Sequence, residues 1–180
     1  MDAIVAAALK KWPNVPDCYG WLALDARGDW YMRDERVQAA GPFPAVKGSR
    51  ILHEKLLAFI HRNYLADAAG AWFFQNGPQR VYVELEAAPL VLRLLDDGRI
   101  QAHTGEVLQA LSCWLDEQGR LFIEAEAGFG LLRSADMWVA ADAVEAGRWN
   151  PRELAFADMP ARFGYQLRPA PERVSVDARA

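Results

Sequence analysis

A short phrase that recurs along the chain constrains the fold more than any other feature. Residues 24–32 read as an apolar run, an Asp, a Gly and a second apolar run, and residues 115–123 repeat that pattern. A shorter version occupies residues 95–100. Asp caps a tight turn through the backbone and Gly supplies the positive φ, so each phrase predicts a β-hairpin. The repetition indicates a fold rich in antiparallel strands and carries no chemistry of its own.

The composition suits a packed protein without affinity for nucleic acid. Of the 180 residues, 52% are hydrophobic and 24% are charged, and the net charge is −4. Lys and Arg form no long cluster, whereas a nucleic-acid binder depends on a basic footprint. We therefore expect no nucleic-acid partner.

Cysteine usage and the distribution of apolar residues predict a cytoplasmic protein without a membrane partner. Cys18 and Cys113 form neither a disulfide framework nor a CxxC pair, which is typical of a reducing compartment. The apolar runs are too short to span a bilayer. At the N-terminus Asp2 precedes Lys10 and Lys11, and this is the reverse of the charge order in a signal peptide.

Apolar spacing and capping residues predict three helices. The first is short, follows Asp2 and ends before Pro13. The second begins at Ser49 and runs to about residue 65, with a core-facing stripe that includes Leu56 and Ile60. The third spans residues 134–146 and ends at Gly147.

The remaining apolar segments predict strands arranged as hairpins. In residues 80–86, Val81, Val83 and Leu85 alternate with Tyr82, Glu84 and Glu86, which predicts one buried and one solvated face. Residues 162–167 are predicted as a last strand. The predicted segments of the hairpins are residues 18–25 with 29–33, 71–75 with 80–86, 90–95 with 99–103, and 108–115 with 120–126.

These elements predict an α+β protein of two lobes made of mainly antiparallel β-hairpins. Each lobe has one packed helix, and a short N-terminal helix precedes them. We place the lobes at residues 1–88 and 89–168 and expect residues 169–180 to be a disordered tail. A true duplication and convergent hairpin chemistry both explain the similarity of the halves.

The sequence offers no catalytic motif. The serines lack a Gly-x-Ser-x-Gly context, and Cys113 lies in a predicted strand without a basic neighbour, as a core thiol would. His53, His61 and His103 lack the spacing of a helical metal site, so we interpret them as structural or surface residues. We expect no metal and no cofactor.

Paired strand carboxylates supply an alternative, a hydrolase. Glu84 with Glu86, and Glu124 with Glu126, lie about 6.6 Å apart along one strand face, a spacing within reach of the acid and base of an inverting glycosidase. The simpler interpretation is that these residues form the solvated faces of half-buried strands.

The residues before the second predicted helix favour an anion site. Lys47, Ser49 and Arg50 would bring two cations, a hydroxyl and unpaired backbone N–H groups to the N-terminus of that helix. A capping segment with solvated basic side chains explains the same pattern. Trp21 and Trp30 lie in predicted strands, and a small protein cannot easily bury seven Trp, which favours an aromatic-lined cleft or a partner surface.

Three stretches of the first half carry a resemblance to a known family. They are residues 24–31, 41–52 and 81–90, and together they resemble a proteobacterial family of unknown function. The resemblance implies a two-lobed α+β fold with repeated units, a cleft between the lobes, and a role in signalling or ligand sensing. None of the matching stretches is catalytic, so no active-site residue is carried over.

The leading functional hypothesis is a cytoplasmic binding module. It would recognise a small anionic ligand or a protein partner at the inter-lobe cleft through Lys47, Ser49 and Arg50, with Trp21 and Trp30 nearby. The alternatives are the hydrolase described above and a structural partner that forms a homodimer through an exposed aromatic patch.

Overall fold

The computed structural model describes residues 1–171 and consists of two β-sheets with a few helices. The first sheet, which we call the first lobe, contains β1 (Cys18–Leu24), β2 (Trp30–Met32), β3 (Ser49–Arg50), β4 (Tyr64–Ala66), β5 (Trp72–Asn76) and β6 (Gln79–Leu85). The second sheet, the second lobe, contains β7 (Leu90–Leu94), β8 (Ile100–Ala102), β9 (Val107–Leu108), β10 (Ala110–Leu115), β11 (Leu121–Ala125), β12 (Gly128–Leu132) and β13 (Arg152–Glu153). The α-helices are α1 (Ala3–Lys11), α2 (Glu35–Ala40), α3 (Glu54–Arg62), α4 (Met137–Glu145) and α5 (Met159–Phe163).

Both sheets have the same strand order. The first is β3-β2-β1-β6-β5-β4, and the second is β13-β10-β11-β12-β7-β8-β9. Each sheet joins two antiparallel three-stranded meanders through one parallel pair, β1 with β6 or β7 with β12. Strands β7 to β12 therefore repeat the order of β1 to β6, and β13 is added at an edge. The predicted two-lobed α+β fold is confirmed, although the parallel pairs were not predicted.

The recurring phrase forms hairpin turns, as predicted. The Asp25 N–H donates to the Asp29 carbonyl, and the Asp25 carbonyl accepts from the Gly28 N–H. Gly28 has φ 89°, a left-handed conformation that completes the bulged type of hairpin turn. The same two backbone hydrogen bonds recur at the turns that begin at Asp67, Leu95, Ala102 and Asp116.

The positions of these turns follow the repeated strand order. Turns that begin at Asp25 and Leu95 join β1 to β2 and β7 to β8, and turns that begin at Asp67 and Asp116 join β4 to β5 and β10 to β11. The two most similar phrases in the sequence, at Asp25 and Asp116, therefore join hairpins that are not equivalent.

One hydrophobic core continues across both sheets. Leu24 and Trp30 of the first lobe belong to the same buried cluster as Leu92 and Phe122 of the second. The placement of a lobe boundary after residue 88 stays a prediction, since the core shows no break there.

A second, smaller cluster covers part of the opposite face of the first sheet. Tyr82 is buried with Phe73 and Ala71, and its ring stacks on Tyr19 at 4.6 Å between centroids. The prediction that Tyr82 lies on a solvated face is therefore wrong. Two-residue alternation gave the direction of the side chain correctly, but it carried no information about what covers that face.

The second predicted helix begins later than expected. Ser49 and Arg50 pair with Met32 and Tyr31 as strand β3, and α3 begins at Glu54. The prediction of a helix from Ser49 is wrong because pairing with β2 extends the backbone there. The predicted N-terminal helix and the helix that ends before Gly147 are confirmed as α1 and α4.

The C-terminal segment spans both lobes. The Phe163 ring of α5 stacks on Phe129 of the second lobe at 3.9 Å between centroids. Beyond it, the Leu167 carbonyl accepts from the Leu85 N–H of the first lobe. The predicted strand at 162–167 is thus wrong: a short helix and an irregular segment occupy these residues. Of the predicted tail, Pro169 is buried, and 172–180 lie outside the described residues.

We predict that Gly70→Ala destabilises the protein far more than Gly98→Ala. Both glycines are left-handed, but a Cβ on Gly70 would lie 2.0 Å from the Gly164 carbonyl oxygen, whereas one on Gly98 meets nothing within 4 Å. Gly98→Ala should cost about 1 kcal/mol of unfolding free energy, and Gly70→Ala at least ~2 kcal/mol more. Denaturant unfolding measures both, and equal losses would show that the C-terminal segment does not depend on this contact.

Candidate functional site

Lys47 is bound by two carboxylates of the first lobe. Its Nζ lies 2.9 Å from Asp25 Oδ2 and 3.2 Å from Glu86 Oε2. Asp25 Oδ1 accepts the N–H groups of Arg27 and Asp29. Burial acts to raise the pKa of Asp25, but the hydrogen bonds from Lys47 and the backbone outweigh it and hold the pKa below its ordinary value. Lys47 is therefore engaged in holding the first hairpin.

The other two residues of the predicted anion site lie on an edge strand. Arg50 Nη2 lies 2.5 Å from Asp29 Oδ1, and Ser49 is exposed on β3. The N-terminus of α3 is capped instead by His53, whose Nδ1 accepts the Leu56 N–H. The helix N-terminus expected beside Lys47, Ser49 and Arg50 is absent there, and their role in ligand binding stays a prediction.

The two tryptophans assigned to the site lie in different surroundings. Trp30 is almost wholly buried, and its indole N–H donates to His61 Nε2 at 3.1 Å. Trp21 is 39% exposed on β1. The structure uses Trp30 as a core residue and leaves only Trp21 accessible to a partner.

Trp30 belongs to an aromatic cluster between the lobes, which we call the inter-lobe cluster. It consists of Trp30, His61, Tyr64 and His103, and His103 is its member from the second lobe. The ring centroids of His61 and His103 lie 5.5 Å apart in an edge-to-face arrangement. No local pattern in the sequence indicates this pair, because only the packing of two sheets brings the two histidines together.

Hydrogen bonds fix which nitrogen of each inter-lobe histidine carries the proton. His61 Nε2 accepts from Trp30, so Nδ1 carries the proton. His103 Nδ1 accepts the Val91 N–H at 3.1 Å, so its proton is on Nε2. Within residues 1–171, this Nε2 is the buried side-chain polar atom without a hydrogen-bond partner.

Both inter-lobe histidines are neutral at physiological pH. Burial lowers the pKa of His61. Burial and the neighbouring His61 lower the pKa of His103 to about 3. A proton on His103 would place a charge without an acidic partner between the lobes.

Three arginines from both lobes line one pocket beside His103, which we call the arginine pocket. Its volume is about 260 Å³. Arg27 comes from the first hairpin turn of the first lobe, Arg93 from β7 and Arg133 from the residue after β12. Gln101 and His103 complete its polar lining.

The partners of these arginines leave positive charge in the pocket. Arg93 Nε donates to the neutral Gln101 side chain at 2.7 Å, and Arg133 pairs with Asp136 at 3.1 Å. Arg27 makes no ion pair within the described residues. Sequence reasoning missed this site because the three residues lie far apart and share no motif.

Three of the four carboxylates proposed for a hydrolase have structural partners, and the fourth, Glu126, is exposed just after β11. Glu84 forms an ion pair with the buried Arg33, and Glu86 binds Lys47. Glu124 accepts a hydrogen bond from the Ser112 hydroxyl at 2.6 Å. These contacts give the carboxylates a structural role. They do not arrange an acid and a base to face one substrate.

The cysteines, the potential metal ligands and the helices give no further candidate site in the described part of the chain. Cys18 and Cys113 are both free, and burial raises the pKa of the Cys113 thiol. Residues 1–171 hold no cluster of His, Cys, Asp or Glu that could bind a metal ion. The helices within the same residues are too short or too polar to cross a membrane.

The structure is that of a two-lobed α+β protein with an arginine-lined pocket between its lobes. Comparison with known proteins then gives the family. Residues 1–170 match the family model DUF2944, described as "Protein of unknown function (DUF2946)", and the chain belongs to this family. No curated protein matches the chain.

Two solved structures of proteobacterial DUF1285 family proteins are similar to this chain. The one from Silicibacter pomeroyi DSS-3 has a TM-score of 0.50 and 13% identity, covering 79% of this chain and 84% of that one. The one from Shewanella baltica OS155 has a TM-score of 0.42 and 15% identity, covering 68% of this chain and 91% of that one. The first likeness supports the fold alone, and the expected resemblance to a proteobacterial family of unknown function is confirmed.

We predict that His103 makes the protein less stable as the pH falls from about 6.5 towards 3. In this interval the unfolded chain binds a proton at His103 and the folded chain does not, because the folded pKa is about 3 against 6.5. Stability therefore rises with pH across the interval, by at most about 1.4 kcal/mol per pH unit from this group, and the contribution is constant above it.

The measurement is urea unfolding between pH 4 and 7 for the natural chain and His103→Asn, whose amide oxygen can still accept the Val91 N–H. The variant should show a flatter dependence of unfolding free energy on pH. His53→Asn is the matched control, because it replaces an exposed imidazole by another capping side chain. Equal slopes for His103→Asn and the natural chain would contradict the prediction.

Proposed function

We propose that this chain is a binding protein for a small dianionic ligand, such as a phosphate monoester, held in the arginine pocket between its lobes. The observation that carries the proposal is the convergence of Arg27, Arg93 and Arg133 from separate elements on one pocket. Guanidinium groups bind phosphate and carboxylate oxygens in pairs of charge-assisted hydrogen bonds.

The charge of the pocket supports a dianion. Asp136 offsets Arg133, whereas Arg93 binds only a neutral amide and Arg27 has no acidic partner within residues 1–171. About two positive charges are left, and a phosphate monoester carries between about 1.5 and 2 negative charges at neutral pH. The volume of about 260 Å³ favours a small ligand over a dinucleotide.

The position of the pocket supports a sensing role. Arg27 belongs to the first lobe, and Arg93 and Arg133 belong to the second, so a ligand bound by all three would bridge the lobes. Such a ligand stabilises their mutual packing by mass action. We therefore propose a ligand-sensing or signalling role. The free cysteines favour the cytoplasm as its location.

The arginine pocket takes the place of the site first expected at Lys47, Ser49 and Arg50. Lys47 and Arg50 already bind Asp25 and Asp29, so an anion there would compete with a carboxylate. Binding to a protein partner and formation of a homodimer stay predictions. The arginine pocket does not support either of them.

We predict that a dianion raises the melting temperature and that Arg27→Ala makes this rise much smaller. At ten times its Kd a ligand stabilises by about 1.4 kcal/mol, which is about 3–6 °C for a chain of this size. The probes for differential scanning fluorimetry are inorganic phosphate, phosphoserine and succinate. Arg27→Ala should weaken binding by about tenfold or more, because it removes charge-assisted hydrogen bonds to the ligand. It breaks no ion pair of the described residues, so the fold should be kept.

Two further variants make this test decisive. Arg36→Ala removes an exposed arginine of α2 and should leave the ligand effect unchanged. Arg50→Ala tests the edge-strand site. Loss of the effect in Arg50→Ala with full retention in Arg27→Ala would place the ligand at Lys47 and Arg50 and refute the arginine pocket.

A further inference from the structure

Strand β10 has one partly open edge. β11 pairs along β10 from Ala110 to Leu115, but β13 reaches only Trp114 and Leu115. Within the described chain, residues 110–113 thus have no strand neighbour on the β13 side. The register shifts at Leu111, which is 60% exposed. An open strand edge offers backbone donors and acceptors to an extended chain.

A groove of about 300 Å³ follows this open edge. Residues 148–150, which precede β13, form its opposite wall together with Arg152 of β13. Arg148 and Arg152 are exposed, and neither makes an ion pair within residues 1–171. Two cations without acidic partners therefore face the same groove.

Arg152 is held in place by an aromatic ring. Its guanidinium lies 3.9 Å from the ring centroid of Trp114, and Arg162 lies 4.7 Å from the same ring. The Trp114 indole N–H donates to Ser112 Oγ at 2.7 Å, which fixes the indole. Stacking of this kind orients the planar guanidinium before a ligand arrives, so less entropy is lost on binding.

We propose that this groove binds the last residues of an extended peptide, with the free C-terminal carboxylate on Arg148 and Arg152. The peptide backbone lies along residues 110–113 as a short added strand. An apolar side chain of the peptide packs on Leu111 and Trp149, which line the same groove.

The combination of groove features selects a peptide over other anions. A phosphate ester would use Arg148 and Arg152 but neither the strand edge nor Leu111. The net charge of −4 and the short groove disfavour nucleic acid. The groove shares no residue with the arginine pocket, so this proposal stands or fails independently of the proposed function.

The experiment compares two pools of fluorescein-labelled octapeptides by fluorescence polarisation. Both pools are random except for Val or Leu at the last position, and they differ only in a free or an amidated C-terminus. The free-carboxylate pool should bind about tenfold tighter or more, because only it forms charge-assisted bonds with the arginines. Arg148→Ala and Arg152→Ala should each weaken binding, and Arg36→Ala should not.

Several results would overturn the proposal. Equal binding of the two pools would show that the C-terminal carboxylate does not contribute to binding. Full competition by inorganic phosphate would show that the groove is a simple anion site. If Arg152→Ala fails to fold, Arg148→Ala decides, because Arg148 is exposed and its side chain makes no described ion pair. Amide NMR shifts on peptide binding must include residues 110–113, and shifts confined to other strands refute the added strand.

Discussion

The rest of this structure depends on the hydrogen bonds that an Asp side chain accepts within a five-residue turn. In the turns at Asp25, Asp67 and Asp116, Oδ1 accepts two backbone N–H groups, which fixes the conformation of the turn. Oδ2 accepts a hydrogen bond from a side chain, that of Lys47, Tyr82 or Arg120 respectively. Because a slip of one residue would reverse every side chain of a strand, these turns decide which faces of both sheets enter the core.

Much of this local structure could be predicted from the sequence, and the long-range pairing could not. The hairpins, α1 and α4 follow from neighbouring residues, so turn chemistry and spacing were enough. The parallel pairs of β1 with β6 and of β7 with β12 join residues far apart and leave no local pattern. The error at Ser49 has the same origin, since β2 draws Ser49 and Arg50 into a strand despite a sequence that suits a helix start.

The candidate site shows the same division between local and long-range information. The sequence correctly drew attention to cations, but it could not show which ones have carboxylate neighbours. Lys47 and Arg50 are neutralised by Asp25 and Asp29, whereas Arg27, only two residues from each of these carboxylates, has no acidic partner in the described chain. What leaves a cation available for a ligand is the direction of neighbouring side chains, which the fold decides.

A difference between two equivalent turns explains why, in the described chain, only the first lobe carries a turn arginine to this pocket. The turn at Leu95 is equivalent to the turn at Asp25, and it carries Asp97 where the first lobe has Arg27. The surroundings differ as well: a Cβ on Gly28 would lie 3.4 Å from His103, whereas one on Gly98 meets nothing within 4 Å. The first turn is packed against the opposite lobe and the second is open to solvent. Because the first turn packs on the second lobe, its Arg27 lies beside Arg93 and Arg133. The candidate site therefore depends on a difference between the two lobes.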